Sequence, residues 1–251
     1  MTAVRVSVAL AISHVLSGKT LLSRVRQRFP SFQKETRTVS LAQKVRAKEF
    51  AKRLFDVLFS LSVLIVLSPL YLLLCLLIAL SSPGPIFYVQ KRVGKNYQPF
   101  ECIKFRTMVA NADEMLSDMI AQEPQMRQEF EENFKLKQDP RITKIGRFLR
   151  LTSLDEFPQF WNVLKGDMSI VGPRPLVPEE LHKYGNKIGK VLTIKPGLTG
   201  LWQVSGRNNI PYNRRVQIDV YYVKSNNFWM DLWIVMKTIS VMVVPKNNGA
   251  Y

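Results

Sequence analysis

Cysteine and histidine are almost absent from this sequence of 251 residues. Each occurs only twice, which leaves too few for a disulfide framework, a Cys-rich zinc site, a His-based metal centre or a Ser-His-Asp triad. The chain also has neither the G-x-x-x-x-G-K-[ST] pattern of a P-loop nor the G-x-G-x-x-G pattern of a Rossmann site. Any metal is therefore expected to be a hard cation held by oxygen ligands.

Acidic residues are scarce at the N-terminal end of the chain. Residues 1–53 contain twelve Lys or Arg and only two Glu, and so carry +10 of the total formal charge of +17. Hydrophobic residues make up 47% of the sequence, which is enough for a folded core and excludes a disordered chain. A basic arm of this kind could bind either nucleic acid or an anionic membrane surface.

The segment Val57–Leu80 favours the membrane. It contains 24 residues without a charged side chain, and as a straight helix it would measure roughly 36 Å, enough to cross a hydrocarbon core of ~30 Å. Lys and Arg on both flanks favour retention of both ends in the cytoplasm, and Ser68-Pro69 interrupts the helix near its midpoint. Two structures stay open: a re-entrant helix–break–helix hairpin and a kinked span.

The rest of the sequence predicts a small hairpin among helices. Residues 86–92 and 99–105 are rich in aromatic and β-branched side chains, and the polar stretch between them predicts a hairpin loop. Helices are predicted at 111–137 (interrupted near Pro124), 140–151 and 228–244. The last of these carries Trp at the edge of an apolar stripe, which is typical of either a membrane-interface helix or a core helix.

Asp155 and Glu156 are the most informative acidic residues. They are adjacent carboxylates among apolar side chains, and partly buried anions need a cation or hydrogen-bond donors. Such carboxylates can hold Mg²⁺ together with substrate phosphate oxygens, and a carboxylate can attack phosphorus to give an acyl phosphate. The structural alternative is that Asp155 caps a helix starting near Phe157 while Glu156 pairs with Arg150.

Basic residues that could receive an anion lie in three other segments. Arg174 stands between two prolines in a rigid turn, so its guanidinium would bind phosphate oxygens with little loss of entropy. Lys104 and Arg106 follow the second predicted strand and can face the same anion. Arg207 follows a Gly-containing loop at 196–200 that suits a nucleotide. For Arg174, Lys104 and Arg106 the alternative is a solvated surface side chain.

Four motifs together resemble one known family, the bacterial sugar transferases, also called monotopic phosphoglycosyl transferases. They are KRLFDVLFSLSVLIVLSP (52–69), KFRTM (104–108), LTSLDEFPQFWNVLKGDMSIVGPRP (151–175) and PGLTGLWQVSGR (196–207). The resemblance runs from about Lys52 to Tyr251. The GLWQVSGR form is most similar to the hexose-1-phosphate transferases that start exopolysaccharide, capsule or O-antigen repeat units.

The resemblance implies a fold and an organisation. The expected fold class is α+β, mostly helical with a small β-hairpin, in a monotopic membrane protein with a re-entrant helix–break–helix hairpin broken at Ser68 and Pro69. We expect a basic N-terminal arm at 1–51, the membrane hairpin at 52–82 and a cytoplasmic catalytic domain with interfacial helices at 83–251. The implied location is the cytoplasmic face of the bacterial inner membrane.

The resemblance also implies a reaction. Members transfer a sugar 1-phosphate from a UDP-sugar to undecaprenyl phosphate and release UMP, with Asp155 as the nucleophile and Glu156 assisting with Mg²⁺. Asp167 falls at a matching acidic site, which makes it a third candidate metal ligand. The predicted substrate-binding residues are Lys104, Arg106, Arg150, Pro173, Arg174 and Arg207.

Other functions stay open from the sequence. A membrane-tethered basic protein that binds an anionic polymer explains the charge but leaves the acidic pair without a role. A glycosyltransferase that retains the sugar phosphate would release UDP instead of UMP. The expected partners are a UDP-sugar, undecaprenyl phosphate and membrane lipids, and no nucleic acid. The identity of the sugar (glucose, galactose or a 2-acetamido sugar) and the formation of a homo-oligomer stay open.

Overall fold

The computed structural model of the protein describes residues 30–133, 136, 138–206 and 209–243. It divides into two units, Met1–Lys52 and Arg53–Tyr251. The helices are α1 (Pro30–Val66), α2 (Ser68–Ser81), α3 (Ala112–Gln122), α4 (Pro124–Asn133), α5 (Lys144–Thr152), α6 (Gln159–Lys165), α7 (Ile188–Val191), α8 (Leu201–Val204), α9 (Tyr212–Ser225) and α10 (Phe228–Val243). The strands are β1 (Phe87–Val93), β2 (Pro99–Phe105), β3 (Ser169–Val171) and β4 (Gly197–Thr199). The described residues of the first unit are helical, so α1 begins well before the predicted start of the hairpin at residue 52.

The break between α1 and α2 lies one residue before the predicted Ser68-Pro69. The helix is interrupted at Leu67, and Pro69 occupies the first turn of α2, where its missing N–H leaves no helical bond unmade. The hydroxyl of Ser68 donates to the carbonyl of Ile65 (2.9 Å), the acceptor that an N–H at position 69 would have used. Serine and proline therefore act together at this break.

Within the described chain, no helix alone combines the length and apolarity needed to cross a bilayer. The segments Val45–Val66 and Ser68–Ser81 reach that threshold only as a pair, and they are bent by 64° at the break. Many of their large side chains are exposed: Leu58, Leu61, Ile65, Leu72, Leu76 and Leu80.

Within the second unit, the part of α1 from Arg53 onwards is bonded to later elements by two polar side chains, one half-buried and one buried. The guanidinium of Arg53 donates to the carbonyls of Val163 and Leu164 (2.7 Å to the latter) at the end of α6. The buried carboxylate of Asp56 accepts from the hydroxyl of Ser169 (3.0 Å) and from the N–H of Ile170 (2.9 Å) in β3. The carbonyls at the end of a helix and the backbone N–H of Ile170 need hydrogen-bond partners, and Arg53 and Asp56 supply them. These bonds join this part of α1 to α6 and β3.

The predicted β-hairpin is confirmed. β1 and β2 pair antiparallel, with Phe87 opposite Phe105 and Val93 opposite Pro99. One face packs on the second helix of the bent pair, because Leu74 and Ile78 of α2 form one core cluster with Phe105 and with Leu149 of α5. The helical region interrupted near Pro124 is also confirmed, as α3 and α4.

A short parallel pair, β3 and β4, was not predicted. The two strands meet so closely that a Cβ at Gly197 would lie 2.1 Å from the N atom of Gly172. Close backbone packing is thus one reason for the glycines of the 196–200 loop, and binding of a nucleotide by this loop stays a prediction. A second core cluster surrounds β3 and includes Phe160, Val163, Ile170, Tyr222 and Ile234.

The C-terminal helix α10 exposes the apolar stripe that the sequence showed. Trp229 is 74% exposed and Trp233 52%, whereas Ile234 and Val235 are buried in the core. The stripe is therefore not the core face of the helix. The mostly helical α+β class with one small antiparallel hairpin is confirmed by these elements.

Candidate active site

The acidic pair lies on a tight turn between two helices. Helix α5 ends where Ser153 takes a left-handed conformation (φ 58°), and a 3₁₀ turn over Leu154–Glu156, here called the acidic turn, leads to α6. The N-cap of α6 is Pro158, which makes no side-chain capping bond. The alternative in which Asp155 caps a helix near Phe157 is therefore wrong.

Glu156 forms an ion pair across to the β-hairpin. Its carboxylate accepts from Lys104 Nζ at 2.7 Å, with both side chains partly exposed. The pairing of Glu156 with Arg150 that the alternative required is not made. The fully buried Asn162 of α6 fixes this arrangement, since its side chain bonds the carbonyl of Glu101 (2.6 Å) and the N–H of Ile103 (3.1 Å) in β2.

A small pocket, open to solvent, lies against the acidic turn. Three cations and one carboxylate line it, so its net charge suits an anionic ligand. We call it the cation-lined cavity. Its lining residues are Arg92, Cys102, Lys104, Glu156, Gln159, Arg174, Pro175, Leu198 and Gln203. Asp155 is not among them and lies on the same turn as Glu156.

The loop that carries Arg174 is held in place from two sides. The buried Arg92 donates to the carbonyl of Pro175 (3.0 Å), and the N–H of Val93 donates to the carbonyl of Leu176 (2.9 Å). On the other side, the N–H of Gly197 donates to the carbonyl of Pro173 (2.8 Å). Arg174 is thus presented by a backbone bonded to β1 and β4, as the rigid turn predicts.

The two carboxyls of the acidic turn differ in electrostatics. Burial raises the pKa of Asp155 above its usual range; Lys104 and Arg150 oppose this rise, and Glu156 adds to it. Burial also acts against ionisation of Glu156, but Lys104 and Arg174 outweigh it and lower its pKa. Glu156 is therefore held as an anion, while Asp155 is the member whose negative charge is less well compensated.

Arg150 lies close to Asp155 but does not line the cavity. Its Nε donates to the hydroxyl of Thr107 (3.0 Å), which orients the guanidinium, and burial lowers its pKa while Asp155 raises it. Helix α5 packs closely against the backbone of Thr107, since a Cβ at Gly146 would lie 1.9 Å from the carbonyl oxygen of Thr107.

Arg106 is not among the residues that line the cavity, and its role in substrate binding stays a prediction. The side chain is buried, and its guanidinium donates to the carbonyls of Pro83 (2.9 Å) and Ser82 (2.6 Å), just past the end of α2. β2 ends at Phe105, so Arg106 does not continue the face of the strand that carries Lys104.

Three other predicted site residues have different outcomes. Pro173 does not line the cavity and instead contributes its carbonyl to the loop. Arg207 lies outside the described residues. Asp167 pairs with Lys165 (2.9 Å) and accepts from Asn162 (3.1 Å).

Asp167 does not complete a metal site with the acidic pair. In the described part of the chain, no three Asp, Glu, His or Cys side chains form a group that could hold a metal. Asp155, Glu156 and Asp167 are therefore not gathered into one such group, and their role as metal ligands stays a prediction. Two adjacent carboxylates are left in the acidic turn.

The structure adds lining residues that the sequence analysis missed. Arg92 lies inside β1, where a basic side chain gives no local signal of burial, and Gln203 lies in the short helix α8. Gln159 follows the acidic pair by three residues and begins α6. For Gln159, only its position in the motif at 151–175 could have indicated a role in the site.

Comparison with known proteins gives one matching family profile and several similar proteins. The family profile described as "Bacterial sugar transferase" matches residues 47–245. The chain is 49% identical over 206 residues to the undecaprenyl-phosphate galactose phosphotransferase of Salmonella typhimurium, covering 82% of this chain and 43% of the relative. It is 46% identical over 198 residues to the exopolysaccharide production protein ExoY of Sinorhizobium fredii, covering 79% and 88%.

A third relative is the UDP-glucose:undecaprenyl-phosphate glucose-1-phosphate transferase of Klebsiella pneumoniae, 36% identical over 208 residues, covering 80% of this chain and 41% of the relative. The chain thus spans about two fifths of the length of the Salmonella and Klebsiella proteins. The family match includes the bent helix pair from residue 47, the acidic turn and the whole lining of the cation-lined cavity. The chain therefore belongs to the bacterial sugar transferase family.

Proposed function

We propose that the protein transfers a hexose 1-phosphate from a UDP-sugar to undecaprenyl phosphate, as the first step in building an exopolysaccharide, capsule or O-antigen repeat unit. The observation that carries this proposal is the acidic turn beside the cation-lined cavity, because phosphoryl transfer needs a nucleophile next to cations that stabilise phosphate charge. Two relatives' names support it: the Salmonella protein is named as a galactose phosphotransferase and the Klebsiella protein as a glucose-1-phosphate transferase, both with undecaprenyl phosphate.

The proposed reaction has two steps. A carboxylate oxygen of Asp155 attacks the phosphorus that bears the sugar, the bond from that phosphorus to the bridging oxygen breaks, and UMP leaves with this oxygen. An oxygen of undecaprenyl phosphate then attacks the same phosphorus, the bond to Asp155 breaks, and the free carboxylate is restored. Asp155 suits the nucleophile because it forms no ion pair among the described residues, whereas Glu156 is bound to Lys104.

The cations of the cavity offset the repulsion between the carboxylate and the diphosphate. Lys104 and Arg174 are close enough to lower the pKa of Glu156, so they also act on a phosphate bound beside it. Arg92 is largely buried and holds the loop of Arg174, which keeps the positive charge in place before substrate arrives. Preorganised charge of this kind is usually the largest contribution to such catalysis.

Asp155 and Glu156 fit Mg²⁺ of the kind that takes one or two protein carboxylates and completes its shell with substrate phosphates. The fit rests on two adjacent carboxylates, one of which has a pKa raised by burial and by its neighbour. When bound, the ion would neutralise negative charge on the diphosphate. Asp167 is too strongly engaged with Lys165 and Asn162 to be the first choice as a further ligand.

The bent helix pair supports a membrane-associated enzyme. Its exposed Leu and Ile side chains need an apolar environment, and both flanks of the hydrophobic segment are basic, so we assign it as a re-entrant hairpin with both ends in the cytoplasm. The exposed Trp229 and Trp233 of α10 suit the headgroup region. Such an arrangement brings a lipid-borne phosphate to the acidic turn without moving its chain into water.

The test is to measure the nucleotide product and the state of the protein. Purified full-length chain with undecaprenyl phosphate, Mg²⁺ and a panel of UDP-sugars should release UMP with one or a few of them. With the lipid omitted, mass spectrometry should find one phosphosugar attached to the peptide that contains Asp155. Release of UDP would indicate a glycosyltransferase instead, and absence of any nucleotide product with every sugar would favour an anionic-polymer-binding protein.

The membrane assignment has its own test. Single cysteines placed before residue 53 and after residue 83 should both be labelled from the cytoplasmic side. Pro69→Ala restores one backbone N–H and should move part of the population towards a full span. Labelling of the two ends from opposite sides in the unsubstituted chain would contradict the re-entrant hairpin.

A further inference from the structure

The cation-lined cavity contains two side-chain amides whose hydrogen bonding is incomplete. In the part of the chain that the structure describes, the Nε2 of Gln159 and the Oε1 of Gln203 are buried and have no hydrogen-bond partner. Gln159 is 2% exposed. Leaving a buried polar atom unpaired costs about 1 to 3 kcal/mol, so such atoms need a partner that the folded chain alone does not supply.

The two amides line the cavity together with its charged residues. Gln159 begins the helix that follows the acidic turn, three residues after Glu156. Gln203 lies over the segment that supports Arg174: a Cβ at Gly200 would lie 2.9 Å from Gln203 Oε1 and 2.4 Å from the carbonyl oxygen of Gly172. The Nε2 of Gln203 donates only at 3.5 Å, to the carbonyl of Leu198. A phosphate bound by Arg174 would therefore have neutral polar groups beside it.

The unpaired atoms indicate which part of a substrate they contact. An acceptor such as Gln203 Oε1 needs a donor, which a phosphate oxygen cannot provide, while Gln159 Nε2 needs an acceptor. A hydroxyl-bearing ligand supplies both. A uracil ring also has both a donor and an acceptor. None of the described residues that line the cavity is aromatic, however, so no side-chain ring is available there for a base to stack on.

We propose that Gln159 and Gln203 bind the hydroxyl groups of the hexose and so take part in selecting the sugar. The inference rests on the proposed function, because the phosphorus attacked by Asp155 is the one bonded to the sugar and the amides share a cavity with Glu156. Lys104 and Arg174 then bind the phosphates, Arg92 holds the loop of Arg174, and the neutral amides bind the transferred hexose.

The experiment compares binding of the nucleotide with use of the sugar. Gln203→Leu and Gln159→Leu remove the amide at similar volume. Each should raise the KM for the preferred UDP-hexose about tenfold, the loss of roughly one hydrogen bond, and bring the kcat/KM values for UDP-glucose and UDP-galactose closer together. The Kd for UDP, measured by calorimetry, should stay unchanged. The exposed Gln217, substituted in the same way (Gln217→Leu), is the matched control and should change none of these values.

Two results would overturn the inference. An equal loss of affinity for UDP and for the UDP-hexose would assign the amides to the nucleotide, and unchanged KM values in both Leu variants would leave the amides without a role in binding. Where a Leu variant does not fold, the unsubstituted enzyme provides the test: glucose 1-phosphate or galactose 1-phosphate should inhibit more strongly than inorganic phosphate. Failure of the unsubstituted chain to release UMP from any UDP-sugar would instead count against the proposed function.

Discussion

Two parts of the molecule hold carboxyl groups in contrasting ways. In the acidic turn, Glu156 is paired with Lys104, and Asp155 lies near Lys104 and Arg150 at a partly exposed position. In the C-terminal helices, Asp219 of α9 is 1% exposed and accepts from the hydroxyl of Tyr184 at 2.8 Å. Burial raises the pKa of both Asp155 and Asp219, to about 7 for the latter.

Asp155 and Asp219 differ in the groups that surround a carboxyl with a raised pKa. A neutral hydroxyl can bond to Asp219 whether or not the carboxyl is protonated, so this residue joins α9 to the 3₁₀ segment Pro178–Lys187 without needing to be charged. Asp155 instead lies between cations and a second carboxylate, where charge can appear and be neutralised during a reaction. A raised pKa alone does not identify a catalytic group, and neither does one cation nearby, because Arg174 also lowers the pKa of Asp219. What distinguishes Asp155 is its place on the same turn as Glu156, beside the cation-lined cavity.

The largest expected effect distinguishes Asp155 from Asp219 when each is replaced by Asn. Asp155→Asn should reduce UMP release by at least about 10³-fold, because an amide cannot form the acyl phosphate, while the thermal unfolding midpoint stays close to that of the parent. Asp219→Asn is the matched control and should retain turnover. An Asp155→Asn enzyme with near-normal turnover would remove Asp155 as the nucleophile.

The second effect concerns the ion pair that distinguishes the acidic turn. Lys104→Met removes the cation bound to Glu156, which should raise the pKa of Glu156 and lower kcat about 100-fold, because one preorganised charge is lost from the site. Lys104→Arg should retain part of the activity. If Lys104→Met changed only the KM for the UDP-sugar, the lysine would serve substrate binding alone.

The third effect is on stability and depends on pH. A carboxyl with a folded-state pKa near 7 and an unfolded-state pKa near 4 stabilises the fold at low pH, and this contribution is lost as the pH rises through 7. Between pH 5 and pH 8, Asp219 should lower the free energy of unfolding by about 2 to 3 kcal/mol. Asp219→Asn should remove this slope in chemical unfolding experiments. An identical slope in the variant would mean that Asp219 ionises normally.

Local signals were enough for much of the fold. The hairpin follows from two β-rich runs around a polar loop, and the acidic pair stands out because charged residues are rare among aromatic and proline neighbours. The break in the bent pair was predicted from Ser68 and Pro69, although the interruption lies at Leu67 because proline is accommodated in the first turn of α2.

Contacts between distant segments could not be predicted in this way. The strands β3 and β4 have three residues each, too few to show an alternating pattern. Arg92 becomes a cavity residue only because the loop of Arg174 packs against β1, and Gln203 only because α8 follows β4 into the same site. The role of Arg92 and Gln203 in the site depends on which segments pack together. The sequence of any one segment does not show this.

The smallest expected effect tests the predicted role of Arg106 in substrate binding. Lys104 and Arg106 are two residues apart, but one faces the cavity and the other bonds the carbonyls of Ser82 and Pro83 after α2. Arg106→Gln should therefore lower the free energy of unfolding by about 2 kcal/mol, since charged donors from a buried guanidinium are lost from the two carbonyls. The KM for the UDP-sugar should not change, in contrast to substitutions that line the cavity. A raised KM with normal stability would return Arg106 to the substrate site, and would mean that the end of α2 rearranges when the cavity fills.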